Sequence, residues 1–231
     1  MVVDVSWSDL AALPWPDQQL EDTLSSEELT RANRFHFPRD RQRFVRRRGA
    51  LRFLLGSRLG TEPAAVMLRT DPNGRPHLAA EHGSGVRFNQ SSSGDVAVYA
   101  TSPDCDVGVD VEQLRSDFDV DDLARRFFSA REIADLGSLA GAARTGAFFS
   151  CWTLKEAFVK ARGDGLRLPL DQFDVVVQPE TSTGSSLAAT RWDPSEVSSW
   201  CVQPLDAPAG CAAAVAVAAP CTPVTVRVVT P

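Results

Sequence analysis

The stretch from Pro38 to Gly60 restricts the folds open to this chain more than any other. Proline suits the first position of a helix and glycine the position just past its end. Between them Phe44, Leu51, Leu54, Leu55 and Leu59 recur at helical spacing, so one face of a long helix has to be covered by other elements. Extended segments are at hand to do this. Residues 2–7 alternate and read as a strand, and Val86–Gln90 and Asp95–Thr101 read as strands joined by a small-residue loop, Ser91–Gly94. Ser25-Ser-Glu-Glu28 is a capping-box pattern that opens a short helix ahead of the long one.

The same plan returns after Pro103. Val107–Glu112 reads as a strand, Asp119–Phe127 and the stretch from Ser129 as short helices, and about Thr145–Ala161 as a long helix ended by Gly163-Asp-Gly165. Phe173–Gln178, Trp200–Leu205, Ala212–Ala219 and Val224–Val229 read as strands, with a polar loop around Thr181–Ser186. The expected fold class is therefore α+β, with two similar halves, residues 1–103 and 104–231, packed as a pseudo-dimer.

Composition narrows the setting. The chain has 231 residues, 43% of them hydrophobic and 23% charged, as expected of a globular protein. No apolar run is long enough to cross a membrane, and the N-terminus lacks the pattern of a signal peptide, so a cytoplasmic, unprocessed protein is expected. Five scattered cysteines without a Cys-x-x-Cys pair, and three histidines, argue against a zinc site or a disulfide framework and for reduced thiols. The net charge of −6 speaks against nucleic acid as a partner. Yet ten arginines lie between Arg31 and Arg58 against one acidic residue, Asp40, which favours a localised anionic ligand or acidic partner. On the long helix these arginines are expected mostly on the face opposite the apolar stripe.

Among the 24 basic residues only Lys155 and Lys160 are lysine. Lysine is a compact point charge and arginine a planar fork, so these positions suggest a crowded phosphate or a carboxylate cluster. At helical spacing Trp152, Glu156 and Lys160 share a face with Lys155 beside them, opposite Cys151, Leu154, Phe158 and Ala161. An exposed helix with an i,i+4 Glu156–Lys160 pair accounts for the same pattern. In Gly108-Val-Asp-Val-Glu112 the period of two sets Asp110 and Glu112 on one face and Val109 and Val111 on the other. Adjacent carboxylates call for a cation, and oxygen ligands suit Mg²⁺; a solvated acidic strand is the alternative. If Glu156 joins Asp110 and Glu112, phosphoryl-transfer chemistry follows.

Taken in order, four blocks resemble the Sfp-type 4′-phosphopantetheinyl transferases: Asn73-Gly-Arg-Pro76, Phe88-Asn-Gln-Ser-Ser-Ser-Gly94, Gly108-Val-Asp-Val-Glu112 and Trp152-Thr-Leu-Lys-Glu-Ala-Phe-Val-Lys160. Arg126-Phe-Phe-Ser-Ala-Arg-Glu132 is also similar to the family. The resemblance implies the two-half fold of that family, with coenzyme A as co-substrate between the halves. It implies transfer of the 4′-phosphopantetheine arm to a serine of an apo acyl or peptidyl carrier protein, with release of 3′,5′-ADP. By position it implies Mg²⁺ on Asp110, Glu112 and Glu156, catalysis by Glu156 and Lys160, and coenzyme A contacts from Arg31, Arg75, Ser91, Ser92, Asp110, Lys155 and Lys160. The Trp-x-x-Lys-Glu-Ala pattern resembles the branch serving polyketide and nonribosomal peptide synthases, and the resemblance also implies a monomer.

Ser92 stands where that family usually has histidine. A hydroxyl cannot become cationic, so weaker coenzyme A binding is expected. Carrier domains are acidic, which gives Arg39, Arg43, Arg46 or Arg47 a possible steering role. A noncatalytic coenzyme A-binding protein and a Mg²⁺-dependent phosphohydrolase are the competing readings.

Overall fold

The structure is a computed structural model that describes residues 2–117, 119–177, 185–220 and 225–229. The first half comprises β1 (Val2–Asp9), α1 (Asp17–Asp22), α2 (Ser26–Ala32), α3 (Pro38–Leu59), β2 (Leu68–Thr70), β3 (Pro76–Leu78), β4 (Arg87–Ser93) and β5 (Val96–Ser102). The second comprises β6 (Val107–Gln113), α4 (Val120–Phe127), α5 (Ala130–Gly137), α6 (Gly141–Arg162), β7 (Phe173–Val175), β8 (Leu187–Thr190), β9 (Cys201–Pro204), β10 (Cys211–Val217) and β11 (Thr225–Val229). The fold is α+β, as the pattern of elements implied.

Four layers result. A four-stranded sheet, ordered β11-β1-β5-β4, lies against a three-stranded sheet, β6-β10-β9, with α3 on the outer face of the first and α6 on that of the second. The period of two in each strand explains the stacking. Val107, Val109 and Val111 meet Val3, Val5, Val98 and Ala100 between the sheets, while Ala97 and Tyr99 of β5 and Phe88 of β4 turn to Leu51 and Leu55 of α3. Pro38 opens α3 and Gly60 closes it in the left-handed conformation, at φ +64°, as the sequence predicts. β5 and β6, on either side of residue 103, belong to different sheets, but β11 crosses back and pairs in parallel with β1.

Three local expectations change. Ser91, Ser92 and Ser93 extend β4 to the tip of a hairpin rather than forming a loop, because Gly94 at φ +60° supplies the turn. Arg48 and Arg52 lie on the buried side of α3, because Glu28 of the α2 capping box lies beneath it; the Arg52–Glu28 contact is 2.7 Å. Cys105, Cys151 and Cys211 are free thiols, but Cys201 is disulfide-bonded; Cys221 lies outside the described residues. Most of the expected Thr181–Ser186 loop lies outside them too.

Candidate active site

Strand β4 and strand β6 run side by side in the same direction, joined by side chains. The Asn89 Oδ1 accepts from the Val109 amide at 3.1 Å, the Ser91 hydroxyl donates to Asp110 Oδ1 at 2.7 Å, and the Ser93 hydroxyl donates to Glu112 Oε2 at 2.8 Å. Alternation then decides what each serine does. Ser91 and Ser93 face the carboxylates of β6, whereas Ser92 faces α3, where its oxygen accepts from Arg47 Nη1 at 2.6 Å.

Gly108 explains how α6 reaches these carboxylates. A Cβ at this position would come within 2.1 Å of the Ala157 carbonyl oxygen and 2.4 Å of the Ala161 amide nitrogen. Strand and helix backbones therefore touch, and only glycine facing two alanines permits it. Gly108, Asp110 and Glu112 share one face of β6, so the same approach puts Glu156 and Lys160 beside them. Lys160 Nζ lies 2.5 Å from Asp110 Oδ1 and 3.0 Å from Ser91 Oγ. Burial, then the neighbouring carboxylates Asp110 and Glu112, raise Glu156 above the ordinary glutamate range, while Lys160 offsets part of this. Glu112 is raised too, by burial first and then by Asp110.

Among the described residues, no three side chains of metal-ligating type lie close enough as they stand to hold a metal ion. The residues nonetheless suit a hard divalent cation. All three donors are carboxylates that repel one another, and Asp110 Oδ2 is buried without a hydrogen-bond partner.

Beside Glu156 and Lys160 opens a cavity of about 570 Å³, walled on its apolar side by Phe127, Trp152, Val159, Leu168 and Leu170. Asn73, Gly74 and Arg75 form the opposite lip. Asp71 Oδ1 shapes that lip by accepting from the amides of Asn73 and Arg75, at 2.8 and 2.9 Å. Arg75 donates to the carbonyls of Ala161 and Val107, at 2.9 and 3.1 Å, and Asn73 donates to that of Gly163 at 2.8 Å. The Ala161 and Gly163 carbonyls are left over at the end of α6 and that of Val107 belongs to β6, so these bonds tie Asn73 and Arg75 to two elements of the second half. Burial pulls Arg75 below the usual guanidinium range.

Lys155 departs from its expected place. It lies on the apolar side of α6, turn by turn with Cys151 and Phe158, and is fully buried. Its ammonium contacts Glu132 Oε1 at 2.8 Å and donates to the Leu170 and Phe173 carbonyls, each at 2.7 Å, with the Phe173 ring centroid 4.2 Å away. Three acceptors around one nitrogen suit an ammonium and not a planar fork, which explains lysine in an arginine-rich chain. Glu132 also accepts from the amides of Ser129 and Val175, at 2.9 and 2.8 Å, so one carboxylate joins α5, α6 and β7. Lys155 thus holds the Leu170 wall instead of reaching into the cavity.

The arginine block resolves into paired and unpaired members. Arg41, Arg43, Arg46 and Arg52 form ion pairs with Glu21, Asp95, Asp17 and Glu28 at 2.5 to 2.7 Å, and Arg58 pairs with Asp4. Two of the four steering candidates, Arg43 and Arg46, are therefore already engaged. Arg47 differs. It is half-buried, and burial lowers its pKa, with repulsion from Arg31 acting the same way. No carboxylate pairs with it among the described residues; Ser92 is its oxygen partner, and its Nε has none. Arg31 lies over the Phe44 ring at 5.4 Å. Sequence reading placed Arg47 only among possible steering residues, because its approach to Ser92 depends on α3 docking onto β4.

Buried and half-buried carboxylates and a lysine beside an apolar-walled cavity, with uncompensated guanidinium groups nearby, are the equipment of an enzyme acting on a phosphate ester. Residues 106–218 match the 4′-phosphopantetheinyl transferase superfamily, and residues 15–104 match the N-terminal region of 4′-phosphopantetheinyl transferase. The chain is similar to the 4′-phosphopantetheinyl transferase HetI of Nostoc sp., at 41% identity over 210 residues, 89% of this chain and 84% of that one. Sfp of Bacillus subtilis, also a 4′-phosphopantetheinyl transferase, is 31% identical over 168 residues, 68% of this chain and 73% of its own. The L-aminoadipate-semialdehyde dehydrogenase-phosphopantetheinyl transferase of Xenopus laevis is 32% identical over 167 residues, 68% of this chain and 55% of its own. The chain belongs to the 4′-phosphopantetheinyl transferase superfamily.

Proposed function

We propose that this enzyme transfers the 4′-phosphopantetheine arm of coenzyme A to a serine of an apo acyl or peptidyl carrier domain, releasing 3′,5′-ADP. The observation that carries the site assignment is the close approach of α6 to β6 at Gly108, which sets Lys160 2.5 Å from Asp110 while Glu156 and Lys160 line the cavity. In this reading residues 1–103 receive the nucleotide phosphates and residues 104–231 carry the carboxylates.

Asp110, Glu112 and Glu156 would hold Mg²⁺, which when bound neutralises charge on the pyrophosphate. Glu156, directly or through a water, accepts the proton of the carrier serine as the serine Oγ bonds to the phosphorus that carries the pantetheine. The bond from that phosphorus to the oxygen bridging to the adenylate phosphate breaks, and the electron pair leaves with 3′,5′-ADP. Lys160 exchanges Asp110 for the pyrophosphate and stabilises the departing oxygen. The wall formed by Phe127, Trp152 and Leu170 suits the pantetheine arm. Arg47 and Arg31 supply positive charge for a terminal phosphate, so the serine at position 92 does not leave that end of the ligand without a cation. Ser92 then positions Arg47.

The Trp152-x-x-Lys155-Glu156-Ala157 pattern supports carriers of polyketide and nonribosomal peptide synthases, which serve secondary metabolism, as acceptors. A single cytoplasmic chain, acting without nucleic acid or membrane, supplies every residue named. No helix among the described residues is long and apolar enough to cross a membrane.

The test is the intact mass of an apo carrier domain after incubation with the enzyme, coenzyme A and Mg²⁺. A phosphopantetheine-sized gain that is lost with EDTA and in Glu156→Gln is expected. Coenzyme A binding without any gain across carriers from several pathways would support the noncatalytic reading instead.

A further inference from the structure

The link from α2 to α3 is solvent-exposed throughout, from Asn33 to Arg39. It nonetheless carries three rings in succession. Phe37 is 62% exposed and Phe35 38%, and the His36 ring meets Phe37 edge-on at 4.7 Å. Phe35 leans on the buried Phe44 ring at 5.5 Å, and Asn33 accepts from Arg41 Nε at 3.2 Å, so the link is held in place from beneath. Exposed aromatic rings grouped this closely mark an interaction site more often than an accident of composition.

The charges around the rings point the same way. Once the ion pairs of residues 31–58 are assigned, the arginines without a carboxylate partner among the described residues are Arg31, Arg34, Arg39 and Arg47. Three of these flank Phe35 and Phe37 in sequence. In a chain with a net charge of −6, such a patch selects an acidic partner that also offers an apolar side chain. Aromatic rings and arginine are the residues most enriched at interface centres. The patch is also continuous with the active site: Arg31 and Arg47 lie over the same Phe44 ring at 5.4 and 6.0 Å, Arg47 donates to Ser92, and the adjacent Ser91 reaches Asp110.

We infer that the Arg34–Arg39 link is a docking surface for the acidic carrier domain whose serine is modified. An apolar side chain of the carrier covers Phe37, and its carboxylates meet Arg34 and Arg39. The inference rests on the transfer reaction proposed above.

Three variants test it, Phe37→Ala, Arg34→Glu and Arg39→Glu, with an acidic apo carrier domain as the probe. Each is expected to raise the KM for the carrier about tenfold, to leave kcat and the KM for coenzyme A within about twofold, and to keep the wild-type thermal midpoint. The charge reversals are expected to flatten the salt dependence of kcat/KM, because steering falls with screening. Binding of fluorescently labelled apo carrier without coenzyme A, followed by anisotropy, reads the docking separately. If wild type modifies no carrier, the proposed function fails, while the binding comparison still judges the surface. An unchanged carrier KM and affinity in all three variants would overturn the inference. So would a rise in the KM for coenzyme A alone, which assigns the patch to the nucleotide, or a self-association that Phe37→Ala abolishes, which assigns it to a second copy of this chain.

Discussion

Removing the Lys155 ammonium while keeping its volume, as in Lys155→Met, isolates the buried ion pair beneath the active site. The substitution leaves the fully buried Glu132 without its counter-ion and the Leu170 and Phe173 carbonyls without a donor. Breaking a buried pair from one side costs roughly 3–5 kcal/mol, and an unsatisfied buried acceptor costs about 1–3 kcal/mol. Glu132 keeps the amides of Ser129 and Val175, which limits the loss, so we expect about 4 kcal/mol. That is a large part of the 5–15 kcal/mol typical of a folded domain. Adding Glu132→Gln removes the stranded charge, and the double variant should regain at least about 1–2 kcal/mol relative to Lys155→Met alone. Urea denaturation followed by tryptophan fluorescence, with the slope checked for constancy, provides the free energies. A single variant within about 1 kcal/mol of wild type, or a double variant whose loss equals the sum of the two singles, would refute a coupled buried pair.

Gly108→Ala drives a methyl group into the Ala157 carbonyl; we expect a loss of about 1–3 kcal/mol and a fall in kcat as α6 moves from β6, and an unchanged kcat would remove the glycine from the account. Burial and the neighbouring acids raise Glu156 above the ordinary value of 4.5. The folded protein therefore retains a proton that the unfolded chain has released, and in EDTA the stability of wild type should fall relative to Glu156→Gln as pH rises from about 4.5 to neutral. Saturating Mg²⁺ should close the gap between their thermal midpoints, and a gap independent of both pH and Mg²⁺ would argue against the carboxylate cluster. Arg47→Met is expected to raise the KM for coenzyme A more than tenfold through loss of a charge-assisted contact to phosphate, with little change toward a substrate lacking the terminal phosphate; equal losses on both would place Arg47 elsewhere. Ser92→His puts a bulky ring against Arg47 and should weaken coenzyme A binding, whereas tighter binding would restore the expectation drawn from the family pattern.

Much of the site was legible in the sequence because period-two and period-3.6 patterns report which side chains share a face. Asp110 with Glu112, and Glu156 with Lys160, could be paired on that basis, and the ordered motifs linked the two elements. Lys155 was misplaced because four consecutive turns of α6 carry apolar residues over a wide arc, and the polar Trp152–Glu156–Lys160 face borders it closely. Only the positions of Glu132 and the Leu170 and Phe173 carbonyls reveal that Lys155 points inward. The serine run misled for a related reason. Small polar residues are common in loops, whereas here they continue β4 because β6 supplies carboxylates and an amide for their hydroxyls.

The amino-acid sequence by itself determined the α+β class, the helix ends at Pro38 and Gly60, the capping boxes and the family motifs. All of these depend on residues close together along the chain. Tertiary structure alone decided which arginines are free, that Ser91 and Ser92 serve opposite faces, that Lys155 holds a cavity wall, and that the last strand returns to the first sheet. Those outcomes depend on contacts between elements far apart in sequence, where the energy of a charge is set by whatever side chain or carbonyl the fold brings against it.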